Sequence, residues 1–246
     1  MLKELKYTLW NTKQWFKKLY VYPQDYIVSG PHFDYDAYWQ EKRGKYLGQL
    51  GRWQSKRADL AAAIISVHGG KIVNDVGSGA GEVLEVIKNK VGLESAVAYD
   101  SSLSALATAR SKGLTTELLD VNKASDWEII KPADFTILFE ILEHIANSES
   151  LLKVAYDRSR LGVLFSFPNT GFVIHRCRLF FFGKFPLQWT INPAEHLRFW
   201  TKRDLIWWLN AQGYKKYTVH YYVGVPFLKK IWPAMFAAGF LVEILK

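Results

Sequence analysis

Covalent bracing is almost absent from this sequence. Cys177 is its one cysteine, which excludes an internal disulfide, and nothing resembles a signal peptide, so a reducing cytosol is the expected compartment. Long apolar runs are missing as well. The longest candidate for an uncharged apolar run, residues 231–242, holds 12 residues and contains Pro233 and Gly239. A bilayer-spanning helix needs roughly 18, so none is expected. There is no internal repeat and no low-complexity segment. The net charge is +9, yet lysine and arginine form no long stripe, which speaks against nucleic acid as the partner. What is present suits one folded domain. The 246 residues are 49% hydrophobic and 22% charged, enough for a substantial core with spare length for a lid or cap.

Residues 1–48 read as an aromatic, basic extension broken by Pro23, Gly30 and Pro31 into a helix, an irregular stretch and a second helix. In the first of these Lys3, Lys6, Lys13, Lys17 and Lys18 alternate with Leu2, Leu5, Leu9, Trp10, Trp15, Phe16 and Leu19. The pattern is that of a basic amphipathic helix. It suits peripheral membrane contact, or a lid or homodimer helix whose lysines stay in water. The second is preferred because such helices are common in soluble proteins.

From about residue 54 the periodicity switches repeatedly between helix and strand. A helix over 54–67 leads to a strand over 71–76, then helix 81–90, strand 96–100, helix 103–112 and strand 115–119. Strand 134–139, helix 149–160 and strand 162–167 follow. Alternation of this kind predicts βαβ units and a parallel sheet covered on both faces. Thr201 and Asp204 open a helix over 202–212 that Gly213 ends. Strands over 217–223 and 239–245 then join without a helix, which predicts an antiparallel hairpin at the sheet edge, with Trp232, Met235 and Phe236 in the core.

The most specific signal is Asn74-Asp75-Val76-Gly77-Ser78-Gly79-Ala80-Gly81-Glu82, directly after the apolar pair Ile72-Val73. Glycines remove Cβ atoms where a strand turns into a helix, so polar ligand atoms can meet the backbone N–H groups at the helix start. The dinucleotide fingerprint is Gly-x-Gly-x-x-Gly, whereas here the third glycine comes one residue early. Asp100 ends the next strand 19 residues beyond Gly81, where an acid is suited to accept both hydroxyls of a ribose. Asp120 closes a third short run, as a ligand or as a turn former.

This glycine loop, Asp100 and the run Phe139-Glu140-Ile141-Leu142-Glu143-His144-Ile145 resemble class I S-adenosylmethionine-dependent methyltransferases of type 11. Ser166-Phe167-Pro168-Asn169, His196-Leu197 and Thr201-x-x-Asp204 look like the MetW-like branch, over roughly residues 55 to 215. The resemblance implies a Rossmann-like seven-stranded α/β sheet, mostly parallel with a terminal antiparallel hairpin. The domain would span 49–246 after a helical lid over 1–48, with an acceptor-binding cap over 168–200 following the fifth strand. It implies S-adenosylmethionine as cofactor, held by Asp75, Gly77, Ser78, Gly79, Gly81, Asp100, Ser101, Asp120, Val121 and Glu140. In that pattern Asp120 and Val121 flank the adenine. Two departures set aside a methionine-pathway role. The Glu-x-x-Glu-His run is typical of quinone-precursor and small-RNA methyltransferases, and Asn192 to Trp200 reads like enzymes of surface-polysaccharide or natural-product pathways.

The expected activity is methyl transfer to an oxygen or nitrogen of a small or carrier-linked, anionic metabolite. The alternatives are a cofactor-binding regulator of a biosynthetic enzyme and an RNA methyltransferase. A base near neutral pH is most simply a histidine, and His144 and His196 sit where both could face the reacting methyl. The 33 residues from Pro168 to Trp200 are too many for a plain connection. Within them His175, Arg176, Arg198 and Trp200 suit a ring-bearing anionic acceptor, while Phe180 to Phe182 read as an apolar cap packing on the domain. Glu140, Glu143 and His144, completed by His175 or His196, also have the composition of a divalent-metal site. The simpler reading holds no metal: Glu140 lines the cofactor pocket, Glu143 is structural and His144 faces the acceptor.

Overall fold

The computed structural model describes Leu19, residues 50–186 and residues 196–246. The extension expected over 1–48, Leu19 apart, lies outside the described residues, as does the middle of the expected cap. Helix α1 (Arg52–Val67) runs into strand β1 (Ile72–Val76), followed by α2 (Glu82–Val91), β2 (Ser95–Asp100), α3 (Leu103–Ser111) and β3 (Thr115–Leu118). Next come β4 (Ala133–Phe139), α4 (Ser148–Arg158), β5 (Ser159–Pro168) and α5 (Val173–Phe182). The described chain ends with α6 (Lys202–Ala211), β6 (Tyr217–Gly224), two one-turn helices α7 (Leu228–Ile231) and α8 (Pro233–Phe236), and β7 (Ala237–Leu245).

All seven strands form one sheet in the order β3-β2-β1-β4-β5-β7-β6. The first five are mutually parallel, and β7 runs antiparallel to both β5 and β6. Successive side chains of a strand leave on opposite faces, so a sheet covered twice needs apolar residues at every position. In β4 Phe135, Ile137 and Phe139 join the core under α1 and α2, while Leu138 joins the other core under α4 and α6. In β5 Leu164 goes to the first core and Val163, Phe165 and Phe167 to the second. The expected capping box is formed: Asp204 N–H donates to Thr201 Oγ1 at 3.3 Å, and Thr201 N–H to Asp204 Oδ2 at 3.0 Å.

Two expectations about the C-terminal part are corrected. The terminal strands do pair antiparallel, but α7 and α8 lie between them, and β7 is inserted between β5 and β6. Trp232 is 57% exposed and so does not belong to the core, while Met235 and Phe236 are half-buried. The cause is local. Asn169 Nδ2 donates to the carbonyls of Ala234 (3.2 Å) and Ala237 (2.6 Å), which pins the connection across the end of β5. The buried apolar positions of this region fall later, from Ala237 to Ile244. No helix among the described residues is long and apolar enough to cross a membrane.

Candidate active site

The parallel strands deliver their C-terminal ends to one edge, where a cavity of about 560 Å³ opens. Its walls include Asp75, Gly77, Ser78 and Gly79 from the turn after β1, Asp100 and Ser101 after β2, and Val121 beyond β3. Glu140, Glu143 and His144 after β4, His196 and Tyr222 complete it, together with Gly51 to Gln54 and Arg57 from the start of α1. Gly77 has φ +77°, and a Cβ there would collide with the side chain of Ile141, so the backbone itself forms the cavity wall. The turn is closed by its own bonds. Gly77 and Ser78 N–H donate to the Tyr99 carbonyl at 2.8 and 3.0 Å, and Gly79 N–H donates to Asp100 Oδ2 at 2.7 Å. At these three positions the turn therefore supplies close approach, its N–H groups being used to close the turn itself. Asp100 also accepts from Ser102 N–H at 2.9 Å, so one carboxylate fixes the loops after β1 and β2.

Behind the turn lies a buried ionic cluster that the sequence reading missed. Arg57 Nη1 lies 3.1 Å from both Ser166 Oγ and Glu140 Oε1, and its guanidinium stands 5.1 Å from the centroid of the Phe139 ring. Glu140 Oε1 also accepts from Ser166 Oγ at 2.8 Å and from the Tyr222 hydroxyl at 3.4 Å. Glu140 takes φ +55°, a left-handed conformation costly for a side-chain-bearing residue, and these three partners hold it there. Burial works against the Arg57 charge, but Tyr222, Glu140 and Asp75 more than offset it, and its pKa is raised. Burial pushes the Tyr222 phenol up, with Glu140 adding to the effect. Asp75 is pushed up to about 7 by burial and by the charges of Asp100 and Glu82, which outweigh Arg57. The detectable signal for Arg57 was its place on the stripe of Ala58, Ala61 and Ile65, where a cation is out of character.

The last group is the histidine pair. The Glu143 carbonyl accepts the N–H groups of Leu197 (2.8 Å) and Arg198 (3.1 Å), so the returning cap lays His196 beside His144. Their rings meet edge-on at 4.6 Å. Burial, and secondarily His144, lower the His196 pKa to about 3, so it is a neutral imidazole. One donor atom each from Glu143, His144 and His196 lies within 4.8 Å of the others. The Glu140 Oε1 atom, by contrast, is committed to Arg57 and Ser166.

Several expected site residues are not on this cavity. Arg198 grips Glu149 with both terminal nitrogens (2.7 and 2.8 Å) and donates to the Ala146 carbonyl, tying the cap to α4. Trp200 is core, stacked between Phe167 and Trp208. His175 is buried against Phe172, and Arg176 Nε donates to the Gly171 carbonyl at 2.6 Å. All four therefore shape the cap instead of lining the cavity. Asp120 is a turn former: its carboxylate accepts Asn122 N–H at 3.0 Å and faces Lys123. Gly81 packs rather than lines, since a Cβ there would meet Leu114 at 2.6 Å and Ala109 at 3.0 Å.

Asp75 and His196 give opposite pH dependences to stability. The folded pKa of Asp75, about 7, lies above its unfolded value, so its contribution is present below pH about 4 and lost as pH rises through about 7. The folded pKa of His196, about 3, lies below its unfolded value, so its contribution is present above pH about 6.5 and lost as pH falls toward 3. Asp75→Asn should thus become more stable relative to the parent as pH rises from about 4 to 7, by on the order of 4 kcal/mol. His196→Gln should gain on the parent as pH falls across nearly the same interval. Urea unfolding at several pH values reads both slopes, and equal slopes would refute the assignment.

The sequence profile of a family described as a methyltransferase domain matches residues 46–219. No curated protein sequence matches the chain. Solved structures do. Magnesium protoporphyrin IX methyltransferase from Synechocystis, with bound S-adenosylhomocysteine, superposes with a TM-score of 0.58 at 13% identity, covering 86% of this chain and 98% of that one. A possible histamine N-methyltransferase from Thermotoga maritima gives 0.57 at 14% identity, with coverage of 86% and 98%. The small RNA methyltransferase HEN1 gives 0.58 at 20% identity, over 78% of this chain and 25% of that one. At such identities these likenesses describe the fold alone.

Proposed function

The chain belongs to the methyltransferase-domain family, and from that premise we propose that it methylates an oxygen or nitrogen of a small or carrier-linked, anionic acceptor. S-adenosylmethionine is the methyl donor. The observation that carries the reading is the convergence of Asp75, the glycine turn, Asp100 and the histidine pair on one cavity. The residues fit the cofactor: a turn that admits no Cβ at Gly77, and carboxylates at Asp75, Asp100 and Glu140 for its amino and hydroxyl groups. When bound, it supplies an electrophilic sulfonium methyl group.

The chain's own task is then to position the acceptor and take its proton. His144 is the proposed base, accepting the proton that a hydroxyl or amine loses on methylation. His196, neutral and edge-on, positions it. Arg52, on the cavity wall, replaces the cap arginines as the candidate for holding acceptor charge. Ser101 and Val121 border the cofactor end. We retain residues 1–48 as a lid, 168–200 as the cap and a cytosolic location as parts of the same reading. We also infer the MetW-like branch from Ser166-Phe167-Pro168-Asn169, of which Asn169 braces α8 through the Ala234 carbonyl.

Calorimetric titration with S-adenosylmethionine tests the cofactor site. Micromolar affinity, about −8 kcal/mol, is expected for the parent. Asp100→Ala should weaken it at least tenfold, because the carboxylate proposed to meet the ligand also fixes two loops. Unchanged affinity in that variant would remove Asp100 from the site.

A second reading is favoured by the clustering of Glu143, His144 and His196, a carboxylate and two imidazoles suited to a divalent ion. Such an ion would polarise the acceptor oxygen in place of a base. Metal analysis of the purified protein, with turnover before and after chelation, separates the two. Activity unchanged after chelation leaves His144 as the base.

A further inference from the structure

Two groups of large apolar side chains are exposed on the segments that follow strands β5 and β6. At the end of α5 Phe180 and Phe181 are 82% and 69% exposed, with their rings in mutual contact at 4.9 Å. Around α7 Phe227 and Ile231 are each 80% exposed and Trp232 57%. This overturns the expectation that Phe180 to Phe182 pack on the domain. Both groups rise from the same end of the sheet. Strands β5 and β6 run the same way, each antiparallel to β7, and Asn169 at the end of β5 is bonded to the segment that follows α7.

Cations accompany the aromatics. Lys229 Nζ donates to the carbonyl of Tyr222, a residue of the cavity wall, at 3.1 Å, and Lys230 beside it is exposed. Partial burial and the neighbouring charges of Lys56, Lys230 and Arg52 hold the Lys229 ammonium below its ordinary pKa, and Arg52 itself lines the cavity. Lys229 and its neighbour Lys230 thus stand beside the wall that Tyr222 and Arg52 help to form. Scattered surface apolar residues need no explanation, but aromatics clustered with lysines around an opening have the composition of a membrane–water interface.

We propose that this edge docks on an anionic membrane surface, with Phe180, Phe181, Ile231 and Trp232 entering at headgroup depth and Lys229 and Lys230 meeting lipid phosphates. Docking turns the cavity mouth toward the bilayer, so the acceptor is delivered from the membrane surface. That last step rests on the methyltransferase reading; the docking itself does not. The charge complementarity is specific in sign: neutral lipid satisfies the aromatics alone, and anionic lipid satisfies both sets.

The test is sedimentation of the full chain with vesicles of phosphatidylcholine alone, or of three parts phosphatidylcholine to one part phosphatidylglycerol. Binding to the mixed vesicles should be about tenfold tighter or more, given the several cations involved. Phe180→Ser with Phe181→Ser, and separately Ile231→Ser with Trp232→Ser, should each weaken it about tenfold. Lys230→Gln should reduce the preference for anionic lipid. Titration with S-adenosylmethionine runs in parallel, since these residues lie off the cavity and their variants should keep the parent's affinity. Two independent pairs guard against one failing to fold. Absence of vesicle binding by a chain that binds the cofactor overturns the docking and leaves the enzyme assignment standing. So does binding that survives both aromatic pairs but disappears when Lys13, Lys17 and Lys18 are changed to glutamine.

Discussion

Methionine in place of Arg57 is expected to lower the free energy of unfolding by about 3–5 kcal/mol, the usual cost of removing one partner from a buried ionic cluster. Arg57 is 8% exposed and its Nη1 serves Ser166 and Glu140 together, so its loss strands a carboxylate in a left-handed turn and removes the cation beside Asp75. Two accompanying effects distinguish this from an ordinary packing defect. The Asp75 pKa should rise further, since Arg57 is the main charge holding it down, and the fall of stability with pH should move upward accordingly. Affinity for S-adenosylmethionine should drop as well, because Glu140 is a cavity residue whose backbone Arg57 helps to hold. Arg57→Lys should recover only part of the loss, as a single ammonium cannot reproduce the planar donor set. Urea unfolding reads the main effect. A loss below about 1 kcal/mol would mean that the acids simply take up protons and that the cluster contributes little.

Much of this architecture was legible because covered strands announce themselves. Val73, Val97 and Ile137 sit in short apolar runs between glycines and polar caps, and the alternation with helices left one sheet type available. The glycine turn was legible for the same reason: Gly77 answers a contact with Ile141 that no other residue would tolerate. The cap was not. Arg198 and Trp200 look like ligands in a sequence, and only the tertiary positions of Glu149 and Trp208 reveal them as braces. Trp232 failed in the opposite sense. Hydrophobicity argued for burial, but Asn169 pins its segment where no core remains to be filled. Arg57 stood out on its helix stripe, but its partner Glu140 lies 83 residues away, and Tyr222 is 82 residues from the same Glu140, so no local pattern showed the cluster itself.

Loss of the His144 imidazole is the largest effect expected on turnover. His144→Gln should reduce kcat by about 10²–10⁴ on a hydroxyl or amine acceptor, the range for removal of a positioned base. KM for the acceptor should change far less than kcat, a split that a purely structural role would not produce. His196→Gln should cost less, because its neutral ring only positions His144 through their edge-on contact. Affinity for S-adenosylmethionine should be nearly unchanged in both. Screening for methyl transfer to candidate acceptors provides the assay. Full activity of His144→Gln would mean an acceptor that arrives already ionised, as a carboxylate or phosphate does, and would transfer the weight of catalysis to positioning.

The insertion of β7 between β5 and β6 has a consequence for how the molecule comes into being. Strand β6, which carries Tyr222 into the cavity wall, has among the described residues no sheet neighbour other than β7, a strand synthesised after it. A nascent chain can assemble β1 to β5 on the ribosome, but β6 must wait with its apolar face unpaired until Ala237–Leu245 has emerged. Completion of the acceptor side of the cavity is therefore a late event in biogenesis. A ribosome-bound intermediate arrested before Ala237 should hold a formed glycine turn beside an unfinished wall.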